Sequence, residues 1–155
     1  MFRKLLTSLM VIMVMVFGVA IVQPTQVLTQ VGATSYDKYL NGDPNYLLLY
    51  GHMGGAEYLD ISSITVVTND PHKTYAWAQN EVAVNVDQGN AIINTKTKWY
   101  CWVNDGSDNG VFYYSFTGNS GDWKSFDFYS TAGYMQSTTE GFRAGFSRAF
   151  GFPFS

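Results

Sequence analysis

The strongest pattern along the chain is the alternation from Thr74 to Val86. Even positions read Ala76, Ala78, Asn80, Val82, Val84 and Val86, and odd positions read Tyr75, Trp77, Gln79, Glu81, Ala83 and Asn85. A period of two over this length predicts a half-buried antiparallel strand. Shorter apolar runs predict further strands at Tyr46–Tyr50, Glu57–Leu59 and Ile64–Val67, the last bounded by the turn signal Asn69-Asp70-Pro71. After the turn residues Asp87-Gln88-Gly89-Asn90, Thr95–Val103 reads as a strand. It sets Trp99, Cys101 and Val103 on one face and Lys96, Lys98, Tyr100 and Trp102 on the other. Val111–Phe116 and Trp123–Phe128 complete the series, with Phe126 and Phe128 facing the same way.

The period then changes. Phe142, Phe146 and Phe150 recur every four residues, which stacks them on one face of a helix. Ser137 and Glu140 fit a capping box at its start, and Gly151 and Pro153 stop it. Gly141 and Gly145 share a face and predict a close approach to the sheet. Three phenylalanines on a short helix need cover, so the helix is expected to dock on the apolar side of the sheet. The fold class expected is α+β: an antiparallel β-sheet of five to seven strands with a C-terminal α-helix packed on one face.

Ahead of this domain, Arg3 and Lys4 precede a nearly unbroken apolar run from Leu5 to Val22, and Pro24 follows. That order is the one a secretory signal segment has. The small-residue rule allows cleavage after Ala33 or after Ala20, and retention as an uncleaved anchor is the competing reading. The expected organisation is a signal segment over residues 1–33, a polar linker or leading arm over 34–45, and a single domain over 46–155. The domain is then exported: extracellular, at the cell surface or periplasmic.

Charge narrows the partners. Beyond the first four residues seven basic side chains face twelve acidic ones, a net −5 without any basic cluster. Such a domain lacks the electrostatic footprint of a nucleic-acid binder, and it has no polybasic patch for an anionic membrane. Contact with a membrane is expected only through an uncleaved N-terminal segment. Cys101 is the only cysteine, so it forms no intramolecular disulfide; its place between Trp99 and Val103 predicts a buried thiol.

Candidate chemistry is sparse. Two histidines, His52 and His72, and one cysteine offer no zinc set. The loop Asp105–Gly110 resembles the front of a calcium loop, but Phe116 stands where a bidentate glutamate is needed, and a hairpin loop explains the same residues. No nucleophile elbow, phosphate loop or metalloprotease motif is present. The three glutamates of the chain have no motif around them. No cofactor, metal or catalytic residue is therefore expected. Trp77, Tyr100, Trp102 and Tyr113 are the candidate binding residues, lining a sheet face that stacks on sugar rings or peptide side chains. The alternative is that they fill the core. Tyr100 and Trp102 are the better candidates for exposure, because they share a face with Lys96 and Lys98.

The string Tyr58-Leu59-Asp60 with Ser63-Ile64, then a long strand, aromatic-rich strands and a terminal helix, resembles the surface-adhesin protein E family of bacteria, and also small exported bacterial proteins of unknown function. By motif the resemblance covers residues 46–102, and by element order the rest. It implies an antiparallel sheet with a C-terminal helix and binding of host proteins at the cell surface. In the best-known member a disulfide fastens the helix; here Cys101 is alone, leaving Phe142, Phe146 and Phe150 to hold it. The functional expectation is a non-enzymatic, adhesin-like binding module. The alternatives are an envelope structural or glycan-binding protein and, behind these, a small secreted hydrolase. The partner expected is a host or envelope protein or a glycan.

Overall fold

A computed structural model describes residues 34–154; the signal-like segment lies outside the described residues. Six strands run in sequence order as one antiparallel meander: β1 (Tyr46–His52), β2 (Gly55–Asp70), β3 (Thr74–Asn85), β4 (Ala91–Val103), β5 (Val111–Ser115) and β6 (Lys124–Phe126). The sheet curls into a half-barrel, and one helix, α1 (Gly133–Phe150), packs against it. The α+β expectation holds, with six strands.

The two short candidates at Glu57–Leu59 and Ile64–Val67 are parts of one sixteen-residue strand, β2. The pairing with β3 shifts between Asp60 and Thr65, and there Asp60 Oδ1 accepts the backbone N–H of Ser62 at 3.0 Å. The Ser63 hydroxyl accepts the N–H of Asn80 at 2.7 Å, replacing the ladder bond that the irregularity removes. Polar residues that read as a break in the sequence are thus hydrogen-bonding substitutes inside a continuous strand. β1 and β2 join through Met53 and Gly54, both with positive φ (48° and 77°), the turn whose twist suits a two-residue hairpin.

β3 is covered on both faces rather than half-buried. Its odd residues Tyr75, Trp77, Gln79 and Glu81 lie under α1. Its even residues Val82 and Val84 form a second cluster with Leu40, Ala56 and Tyr58 on the opposite face. The leading stretch supplies part of that cover. Leu40 is buried, the Tyr58 hydroxyl donates to the carbonyl of Asp37 at 3.1 Å, and the Tyr36 hydroxyl accepts the N–H of Gly54 at 3.1 Å.

The helix begins one turn earlier than the capping-box reading places it. Ala132 is its N-cap and offers no side-chain cap, while Ser137 and Glu140 lie inside the helix. Ser137 instead donates to Glu57, and Glu140 pairs with Arg143 at 2.5 Å. At the other end Gly151 takes the left-handed conformation (φ 81°) and donates to Ser147, the stop that the sequence predicts. The phenylalanine stripe meets the aromatic end of the sheet. Phe142 lies within 6.0 Å, centroid to centroid, of Trp77, Tyr100, Phe112, Phe126, Phe128, Phe146 and Phe154.

Candidate functional site

Register sorts the helix-facing side of the sheet into cross-strand rows. At one end Tyr75, Trp102, Phe112 and Phe126 stand side by side, and next to them Trp77, Tyr100 and Tyr114. Further along come Gln79 opposite Lys98 and Glu81 opposite Lys96, and finally Tyr50, Glu57, Ala83 and Asn94. The face therefore grades from aromatic to polar. The helix runs from the polar end at Gly133 to the aromatic end at Phe150.

Under the middle of the helix lies a buried polar ladder. Trp77 Nε1 donates to Gln79 Oε1 at 2.8 Å, and Gln79 Nε2 donates to Glu81 Oε1 at 2.9 Å and to the Gly141 carbonyl at 3.1 Å. The Tyr100 hydroxyl donates to the same Glu81 oxygen at 2.7 Å. Lys98 Nζ meets Glu81 Oε2 at 3.2 Å and donates to Thr138 Oγ1 at 2.9 Å. Its ammonium also lies 5.3–5.8 Å from the rings of Tyr100, Tyr114 and Phe116. A Cβ on Gly141 would collide with Glu81 and Tyr100, and one on Gly145 with Gln79 and Trp77. The two glycines are therefore the condition for the helix to sit on the ladder. Burial, reinforced by Glu81, lifts the Tyr100 phenol well above its ordinary value of 10.0.

Beyond the ladder the sheet face opens. A depression of about 280 Å³ is lined by Glu57, Glu81, Asn94, Lys96, Lys98, Tyr114, Phe116 and Ser137. A second, of about 410 Å³, is lined by Tyr50, His52, Glu57, Ile93 and Ser137. The two share Glu57, Ala83 and Ser137, so they adjoin past the start of α1, and together they are called the groove. Aromatic rings stand at both ends. Tyr50 and His52 are stacked at 6.2 Å on one side, and Tyr114 and Phe116 are edge-to-face at 5.7 Å on the other. Phe116 is 50% exposed and offers its surface to a ligand.

The residues named from sequence divide. Trp77 and Tyr100 have no exposed surface. They fill the core beneath α1, and the expectation of exposure for Tyr100 is overturned. The reason is Lys98: a lysine on a strand face reads as solvent-facing, but this one is buried against Glu81. Trp102 is half-buried against Tyr75 and Phe154, and its indole N–H donates to the Asn109 carbonyl at 2.9 Å. Tyr113, paired with Cys101, lies on the opposite side of the sheet from the other three. The four therefore do not form one platform. Cys101 is half-buried, and burial raises its thiol pKa.

His52 and His72 are both exposed. His52 stacks on Tyr50, and the His72 backbone N–H donates to Asp70. In the Asp105–Gly110 loop the Asp105 carboxylate is engaged by Ser107, accepting from its N–H at 3.0 Å and its hydroxyl at 2.6 Å. These bonds lower the Asp105 pKa, and the loop is the hairpin between β4 and β5. Among the described residues no group of three or more His, Cys, Asp or Glu side chains is placed to hold a metal. Sequence reasoning missed Glu57, Lys96, Asn94 and Phe116, which only the register brings together.

Fold and groove together define an α+β domain in which a helix seals the aromatic half of a curled meander and leaves the polar half open. Comparison with protein-family models, with curated proteins and with solved structures gives no match.

Proposed function

We propose that this chain is an exported, non-enzymatic binding module of the cell surface or envelope, and that the groove over Glu57 takes a glycan. Export is supported by the basic-then-apolar order of the first residues. The observation that carries the binding reading is the row Tyr50–Glu57–Ala83–Asn94. It places a carboxylate, a small floor residue and an amide between two aromatic ends. Aromatic rings offer an apolar face to a sugar ring, while carboxylate, amide and ammonium groups match its hydroxyls. The row crosses four strands, roughly 15 Å, a span for several linked sugars.

A glycan suits this shape better than a host protein does. The adhesin-like reading needs a broad exposed aromatic patch, and Trp77 and Tyr100 are withdrawn from any such patch by burial. The first turns of α1 wall the groove on one side, through Gly133, Met135, Ser137 and Thr138.

The test is retention of the purified exported chain on isolated cell-wall sacculi and on immobilised host matrix proteins, side by side. A Glu57→Gln/Phe116→Ala double variant serves as the control. Retention on sacculi that the variant abolishes supports the glycan reading. Retention on matrix proteins alone returns the adhesin-like reading, and retention on neither rejects the binding module.

A further inference from the structure

The charges in the groove are unequal in their satisfaction, and this selects among glycans. Glu81 is the direct cross-strand neighbour of Lys96, the arrangement in which opposite charges ordinarily pair. Both Glu81 oxygens are nevertheless occupied: Oε2 by Lys98, and Oε1 by Gln79 and Tyr100. Lys96 is left exposed at the rim, its ammonium 5.9 Å from the Phe116 ring, and among the described residues it makes no ion pair. Glu57, half-buried one row away, is met by the Ser137 hydroxyl and by no cation among the described residues. The groove thus carries one unmatched positive group beside an aromatic ring and one unmatched negative group on its floor.

We propose that the ligand is an acidic saccharide whose carboxylate is taken by Lys96 while its ring stacks on Phe116 and its hydroxyls donate to Glu57. This rests on the glycan reading above. A neutral sugar leaves Lys96 without a partner. A densely charged chain such as a polysulfate brings charge against Glu57, so a saccharide with one carboxylate and several free hydroxyls on each ring fits best. Lys98 takes no part, since Glu81 already neutralises it.

Three probes test this by calorimetric titration of the full exported chain: a galacturonate trisaccharide, its methyl ester, and a neutral galactose trisaccharide. The ester keeps the shape and removes the charge. The acid is expected to bind about fivefold more tightly than the ester at low salt, and the difference is expected to vanish at high salt. Lys96→Gln is expected to bring the affinities for acid and ester together, and because Lys96 is exposed the variant keeps its fold, read as an unchanged melting temperature. Equal binding of acid and ester, or a preference that survives Lys96→Gln, overturns the inference and leaves the glycan reading standing. Failure of all three sugars to bind overturns both.

Discussion

Lys98 Nζ lies 3.2 Å from Glu81 Oε2 with both side chains more than nine-tenths buried, making this ion pair the electrostatic centre of the helix–sheet contact. It holds Thr138 from the helix and Tyr100, two residues from Lys98 on β4, in one network. Removing one partner leaves a buried charge uncompensated, which typically costs about 3–5 kcal/mol, whereas replacing both with apolar groups is far milder. Lys98→Met alone should therefore destabilise severely in urea denaturation. Glu81→Leu with Lys98→Met should recover part of the loss, the remainder reflecting the Tyr100 hydroxyl and the Gln79 N–H left without their acceptor. Additive losses would show that the pair does not act as a unit.

The helix glycines give a prediction of opposite sign to their propensity. Glycine to alanine in a helix ordinarily stabilises by about 1 kcal/mol. At Gly145 the added methyl meets Gln79 and Trp77, so Gly145→Ala should destabilise by about 1–3 kcal/mol, the usual range for overpacking. Gly133 is exposed, with only the Tyr50 hydroxyl 3.9 Å from the site of a Cβ, so Gly133→Ala should be neutral or stabilising. A denaturation midpoint that falls for Gly145→Ala and holds or rises for Gly133→Ala checks the seating of the helix.

Tyr100 predicts a loss of stability in alkali. Its phenol is raised above 10.0 in the folded state by burial and by Glu81. The neutral form is thus the one the fold requires, and its contribution is complete below pH 10. As pH rises past that value the unfolded chain ionises first, and stability falls until the folded phenol ionises as well. Melting temperature should decline from about pH 10 upward, less steeply in Tyr100→Phe. Tyr58, also raised by burial, contributes with the same sign, so some slope remains in the variant.

Phe142 should be the most sensitive position in the aromatic cluster, because seven rings surround it. Phe142→Ala should cost about 3–5 kcal/mol and loosen the helix, read as faster amide exchange along α1. Phe150, only half-buried, should tolerate the same change better.

The fold was largely legible because its signals are local. Alternation placed β3, and the faces of β4 were assigned as they stand, Lys96, Lys98, Tyr100 and Trp102 together. The four-residue phenylalanine repeat located the helix, and Gly151 its end. What misled were side chains whose partners lie far along the chain. Ser137 looked like a cap because Glu57, eighty residues earlier, is invisible from its neighbourhood. Lys98 looked exposed because Glu81 is seventeen residues away. Ser63 looked like part of a break because the N–H it serves, that of Asn80, belongs to another strand. The candidate site has the same character. Glu57, Ala83 and Asn94 come from β2, β3 and β4 and Phe116 directly follows β5, and no spacing in the sequence marks them as neighbours.

The central claim, that the open polar end of the sheet is the binding site, is tested most directly by nuclear magnetic resonance. Backbone amide shifts of the labelled chain would be followed as the galacturonate trisaccharide is added. Perturbations concentrated at Tyr50, Glu57, Ala83, Asn94, Lys96 and Phe116, with the buried amides of Trp77 and Phe146 unmoved, are the predicted result. Shifts confined to the opposite face around Tyr113 and Cys101, or no shifts at saturating sugar, would contradict it.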